Sequence, residues 1–166
     1  LPQGIGQAAT IRVGYHFGAG DGAAIRRAGW VAIITGIAAM GLSAAAMLFA
    51  PVPLLGLYVD VADPANAAML ALAVQFMMVA AAFQLFDGAQ AVALGALRGL
   101  QDTRMPMAIA LLGYWGPGLA CCLVLGFLTP LAGLGVWFGL MAGLMVVAGG
   151  LIARWAWRGR LGLVPG

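Results

Sequence analysis

The sequence predicts an all-α polytopic membrane protein, and three observations carry that prediction. Hydrophobic residues make up 64% of the chain and charged residues only 8%, with a mean hydropathy of +1.04. A soluble domain carries about 25% charged residues because its surface must be wetted, so this chain needs lipid as its solvent. The apolar residues also gather into runs of about 20, each long enough to cross a bilayer as a helix. Finally, the few charges lie almost entirely between those runs and segregate by sign. We therefore expect one membrane domain over residues 1–166.

The first run, residues 1–13, is shorter than a full span. It begins mid-pattern at Leu1, and no charged region precedes an apolar one as in a signal peptide. We expect the chain to be the C-terminal portion of a longer protein. A glycine-rich loop, Gly14–Ala24, follows, with Asp21 placed to cap the next helix. The second span covers residues 28–49. Pro51, Pro53 and Pro64 then stop one helix and restart the next. The third span, residues 67–97, is followed by a short polar loop to Pro106. The fourth, residues 107–128, holds Pro117 within Gly113-Tyr114-Trp115-Gly116-Pro117-Gly118. A proline inside a helix removes a backbone hydrogen bond, so a kink is expected there, either structural or a gating bend. The fifth span covers residues 131–153, and Trp155 and Trp157 follow where an interfacial aromatic belt would lie.

The charges orient the spans. There is no Lys and no Glu. The basic residues are Arg12, Arg26, Arg27, Arg98, Arg104, Arg154, Arg158 and Arg160, and alternating spans put all of them on one side. The opposite loops hold only Asp60 and Asp63. Lys and Arg favour the cytoplasmic side of a membrane, so the arginine side and the C-terminus are expected inside. The net charge of +3 follows from this topology. The arginines are scattered over separate segments, which argues against a nucleic-acid partner.

Small residues mark packing. Gly88, Ala91, Gly95 and Gly99 form a track along the third span where another helix can approach closely. Cys121 and Cys122 are adjacent in one helix and cannot pair with each other, so we read them as packing residues.

Asp87 is the one charge deep within a span. It precedes Arg98 by eleven residues, about 16 Å along a helix and near the bilayer midplane. A carboxylate there costs about 3 kcal/mol on insertion scales. It must face the bundle interior or water, or take up a proton or a cation. Gln84 and Gln90 lie three residues to either side on the same helix face, and Phe83 lies one turn earlier. The alternative is a structural hydrogen bond from Asp87 to a neighbouring helix. Gln7 and Thr10 on the first run either line a cavity or bond to another helix. His16 is expected at the interface. Gly18-Ala19-Gly20-Asp21-Gly22 follows no strand and lacks the phosphate-loop fingerprint. No His, Cys, Asp or Glu cluster has metal-ligand spacing, and no nucleophile–base pair points to an enzyme.

Three stretches resemble the multidrug and toxic-compound extrusion (MATE) family, in its NorM-like branch. The first is Leu1-Pro2-Gln3-Gly4-Ile5-Gly6-Gln7-Ala8-Ala9-Thr10-Ile11-Arg12-Val13-Gly14, followed by Gly18-Ala19-Gly20-Asp21. The second is Phe86-Asp87-Gly88-Ala89-Gln90, running into Leu97-Arg98-Gly99-Leu100-Gln101-Asp102-Thr103-Arg104-Met105-Pro106. The third is Gly133-Leu134-Gly135-Val136-Trp137-Phe138-Gly139-Leu140. The resemblance implies helices eight to twelve of a twelve-helix protein, and thus part of its C-terminal six-helix bundle. It implies a bacterial inner-membrane antiporter that exports cationic or amphipathic drugs in exchange for Na⁺ or H⁺, without a cofactor, and that needs the missing N-terminal half of the same protein.

Asp87 matches the aspartate that NorM-like members use for cation coupling, which would make it the place for a bound Na⁺. Some members carry a tyrosine one turn earlier; here that position is Phe83, which lacks the hydroxyl. Gln84 and Gln90 enter from helical geometry alone. The competing readings are a flippase for lipid-linked saccharides from the same superfamily and a membrane scaffold in which Asp87 only joins helices.

Overall fold

The computed structural model describes residues 1–164, all but the last two of the expected domain, and contains no strand among them. Seven α-helices follow in order: α1 (Pro2–Gly18), α2 (Gly22–Phe49), the short α3 (Pro51–Leu55), α4 (Ala67–Gly99), α5 (Arg104–Gly113), α6 (Leu119–Phe127) and α7 (Ala132–Ala156). A 3₁₀ turn, Pro64–Asn66, leads into α4, and a π-helical turn, Tyr114–Gly118, joins α5 to α6. Four helical segments are long and apolar enough to cross a membrane: Gly22–Phe49, Pro64–Gly99, Arg104–Phe127 and Ala132–Ala156.

The first two helices meet in a tighter hairpin than the glycine-rich loop suggests. α1 continues to Gly18, and Gly20 then takes a left-handed φ of 71°. The Asp21 amide donates to the His16 carbonyl and the Gly20 amide to the Phe17 carbonyl, the bonding of a Schellman cap. Asp21 at once caps α2, its carboxylate accepting from the Ala24 amide at 2.9 Å. One residue thus ends one helix and starts the next.

α4 ends in the same way. The Asp102 amide donates to the Leu97 carbonyl and the Gln101 amide to the Arg98 carbonyl. Here the left-handed position, φ 60°, is filled by Gln101. The turn delivers Asp102 to α7, where its carboxylate accepts from Arg154 Nε at 2.5 Å.

α4 is the axis of the bundle, packed by α1, α2 and α7. Its small-residue track is the reason. A Cβ on Gly95 would overlap the Gly6 carbonyl of α1, and one on Gly99 would meet Val13 and the Thr10 carbonyl. Gly88 accommodates Met40 of α2. α7 meets α6 by the same device, with Gly135 against the Leu125 backbone and Gly139 against Cys122. Cys122 is buried there, and its Sγ donates to the Val136 carbonyl at 3.3 Å. Without a hydrophobic drive between helices in lipid, such close backbone approach is what dispersion forces and membrane hydrogen bonds reward.

All eight arginines cluster at one end of the bundle, where α1, α4 and α7 finish and α2 and α5 begin. Trp155 is not part of an interfacial belt: it is fully buried, its ring filling the space left by Gly29, while Trp157 is exposed. Arg158 stacks over the Trp155 ring at 4.6 Å and donates to the Trp155 carbonyl at 2.8 Å. Burial, reinforced by the like charge of Arg26, holds the Arg158 pKa below its ordinary value.

Candidate functional site

α4 carries Asp87 about 18 Å from its Gly99 end, within a helix too long for a small core and suited to a bilayer. Asp87 is exposed on the helix surface. To one side α1 packs along Ala91 and Gly95; to the other the Tyr114 hydroxyl reaches Gln90. No hydrogen bond or ion pair to Asp87 exists among the described residues, in which the sole ion pair is Asp102–Arg154. A carboxylate at this depth without a protein partner calls for a proton, a cation, water or a group elsewhere in a longer chain.

The two glutamines beside it diverge. Gln90 accepts a hydrogen bond from the Tyr114 hydroxyl at 2.6 Å, joining α4 to the π turn. Gln84 turns the other way and donates to Met47 Sδ of α2 at 3.3 Å. The structure therefore groups Asp87, Gln90 and Tyr114, and leaves Gln84 in a helix-to-helix contact. Phe83 packs edge-on against Trp137 of α7, with ring centroids 5.5 Å apart, so it contributes packing and no oxygen.

Tyr114 is the residue that sequence spacing does not deliver. It lies on a different helix, 24 positions from Gln90. The signal that marks it is its place in the Gly-Pro-rich segment around Pro117. The π turn is the physical outcome of that segment. Pro117 has no N–H to give to the Gly113 carbonyl, and its ring would strike that carbonyl in an α-helix. Widening to π geometry relieves both, and places Gly118 beside the Gly113 carbonyl and Gly143 of α7. Single π turns inside helices occur frequently at functional sites.

On α1, Thr10 bonds to a neighbouring helix. Its hydroxyl is shared between the carbonyls of Gly6 (3.0 Å) and Gly95 (2.9 Å), which ties α1 to α4. Gln7, three residues earlier, is exposed. His16 stacks edge-on with Tyr15 at the arginine end, with centroids 5.3 Å apart. No group of three or more His, Cys, Asp or Glu side chains is placed to hold a metal ion among the described residues.

The arrangement presents one carboxylate, one carboxamide oxygen and one phenol within a few residues of the membrane centre. These are oxygen donors, suited to a proton or a hard monovalent cation, and they lie next to an irregular helix.

The comparisons agree with this architecture. The MatE family model matches residues 1–124. A probable multidrug resistance protein NorM of Mesorhizobium japonicum is 48% identical over 161 residues, covering 97% of this chain and 34% of that protein. The multidrug resistance protein NorM of Burkholderia vietnamiensis is 49% identical over 158 residues, covering 95% and 33%. The chain thus spans about a third of the length of these curated relatives. The crystal structure of the eukaryotic MATE transporter AtDTX14 superposes with a TM-score of 0.80 at 20% identity, over 98% of this chain and 37% of that one, which establishes the shared fold. A helical membrane bundle with these sequence relatives and this structural likeness belongs to the MatE family.

Proposed function

We propose that the protein carrying this sequence is a secondary active transporter that exports cationic or amphipathic drugs in exchange for Na⁺ or H⁺, with Asp87 as the coupling carboxylate. The observation that carries the reading is Asp87 itself: an intramembrane carboxylate with no partner among the described residues, next to Gln90 and Tyr114. The relatives are multidrug resistance proteins, which supports the reading of drugs as the substrate class.

The mechanism follows from the charge. Ionised Asp87 favours a conformation that holds a cationic drug. A proton or Na⁺ arriving from outside neutralises it, removes that attraction and favours the alternative packing. Exchange is coupled because drug and cation prefer different states, as thermodynamic linkage requires. The Tyr114–Gln90 bond ties this site to the π turn, the kind of helix irregularity that occurs frequently at functional sites. The arginine end faces the cytoplasm of the bacterial inner membrane, by the preference of basic residues for that side. A lipid-linked saccharide flippase would call for basic residues around a central cavity, whereas the arginines here sit at one end of the bundle.

The test is ethidium efflux from liposomes holding the full-length protein, wild type against Asp87→Asn, under imposed Na⁺ and H⁺ gradients. The proposal expects gradient-driven efflux in wild type that collapses in Asp87→Asn at equal reconstitution. Undiminished gradient-driven efflux in the variant would reduce Asp87 to a structural role.

A further inference from the structure

A second feature lies at the arginine end, away from Asp87. α1 and α2 together line a cleft with a volume of about 650 Å³. Ala8, Ala28 and Ala32 line it, small residues contributed by both helices. Ile5 and Val31 supply apolar walls. Arg12, His16 and Arg27 also line it, and all three lie toward the hairpin end.

The dimensions are informative. Ile5 lies thirteen residues before the end of α1, and Thr35 thirteen residues after the start of α2. Both spacings correspond to about 20 Å along a helix axis. The cleft therefore runs from the interface to roughly the bilayer midplane, the depth of one leaflet.

Arg12 and Arg27 are exposed, and neither has a carboxylate partner among the described residues. The nearest acidic residue in sequence, Asp21, directs its carboxylate to the Ala24 amide of the helix cap. Two uncompensated guanidinium groups thus stand at the mouth of an apolar slot one leaflet deep. The occupant that satisfies both ends is amphipathic, with an anionic head and a hydrocarbon tail. Arginine is suited to the head, since its fork of donors matches phosphate oxygens. Basic pockets between membrane helices on the cytoplasmic side recognise anionic lipid head groups in this way.

We propose that the α1–α2 cleft binds an anionic phospholipid of the arginine-side leaflet, its phosphate held by Arg12 and Arg27 and one acyl chain lying over Ala28 and Ala32. The site is separate from the coupling carboxylate, and the proposal stands whether or not the protein exports drugs.

The experiment uses the full-length protein in neutral detergent, titrated with phosphatidylglycerol, phosphatidylcholine or inorganic phosphate, with bound lipid counted by native mass spectrometry. Wild type should retain phosphatidylglycerol at least tenfold better than phosphatidylcholine, and inorganic phosphate should not displace it. The R12A/R27A variant should lose that preference, whereas R160A, outside the cleft, should keep it. Ala32→Phe fills the slot without touching a charge and should weaken phosphatidylglycerol retention as well; it also decides the matter if the double arginine variant does not fold. Equal retention of the two lipids by wild type, displacement by phosphate alone, or an undiminished preference in either R12A/R27A or Ala32→Phe would overturn the proposal. Undiminished preference is also the outcome expected if another segment of the longer polypeptide fills the cleft.

Discussion

The Tyr114 hydroxyl donates to the Gln90 side-chain oxygen at 2.6 Å, and Gln90 lies one helical turn from Asp87. The bond crosses from the span that carries the intramembrane carboxylate to the one irregular turn in the neighbouring span. It links the helix turn that carries Asp87 to the π turn around Pro117.

Tyr114→Phe removes this bond and little else. Interhelical hydrogen bonds in membranes contribute about 0.6 kcal/mol on average and rarely reach 2 kcal/mol. The variant should therefore fold, with stability reduced by about 1 kcal/mol. Its gradient-driven efflux should fall several-fold, and more than that of Phe83→Tyr, because Phe83 packs on Trp137. Efflux assays at matched reconstitution levels and a thermal-unfolding midpoint separate the two effects. A loss of stability with unchanged transport would make the bond purely structural.

Pro117→Ala tests the π turn directly. Restoring the N–H allows the segment to close into a regular α-helix, continuous from α5 to α6. The expected outcome is a more stable protein with slower turnover. Amide exchange over residues 113–118 should slow in the same variant.

Thr10→Val distinguishes packing from cavity lining on α1. Valine keeps the shape of threonine but cannot donate to the Gly95 carbonyl. A cost of about 0.6 kcal/mol in stability and no change in efflux is expected. A large loss of transport at unchanged stability would return Thr10 to the cavity.

Gln101→Gly should stabilise the protein. Gln101 adopts φ 60°, a left-handed conformation that costs a non-glycine residue about 1 kcal/mol. Its side chain is exposed, so the exchange removes strain while the Asp102–Arg154 pair stays in place. A thermal-unfolding midpoint measures the gain.

The spans were legible in the sequence because lipid imposes a simple rule: long apolar runs, charges between them, and arginine on one side. The glycine track of α4 was legible for a related reason, since close backbone contact in a membrane requires residues without bulk. What failed to show were features fixed by tertiary contact. Trp155 looks interfacial from its position at the end of a span, but Gly29 on another helix opens a place for its ring inside. Thr10 has two readings in the sequence, and its bond to Gly95 appears only once α1 and α4 are packed together. Gln84 and Gln90 are equivalent by helical geometry, yet Met47 draws one away and Tyr114 holds the other. Pro117 announced an irregularity without revealing that a π turn would relieve it and bring Tyr114 to Gln90.

The central claim is that drug and coupling cation compete through the charge of Asp87. The most direct measurement is cation release on drug binding: purified full-length protein is titrated with ethidium while released H⁺ is followed in weakly buffered solution and released Na⁺ with a selective electrode. Wild type loaded with the cation should release up to one cation per bound drug, since drug and cation that oppose each other's binding do so reciprocally, and Asp87→Asn should release none. Release at the wild-type ratio from Asp87→Asn would contradict the account.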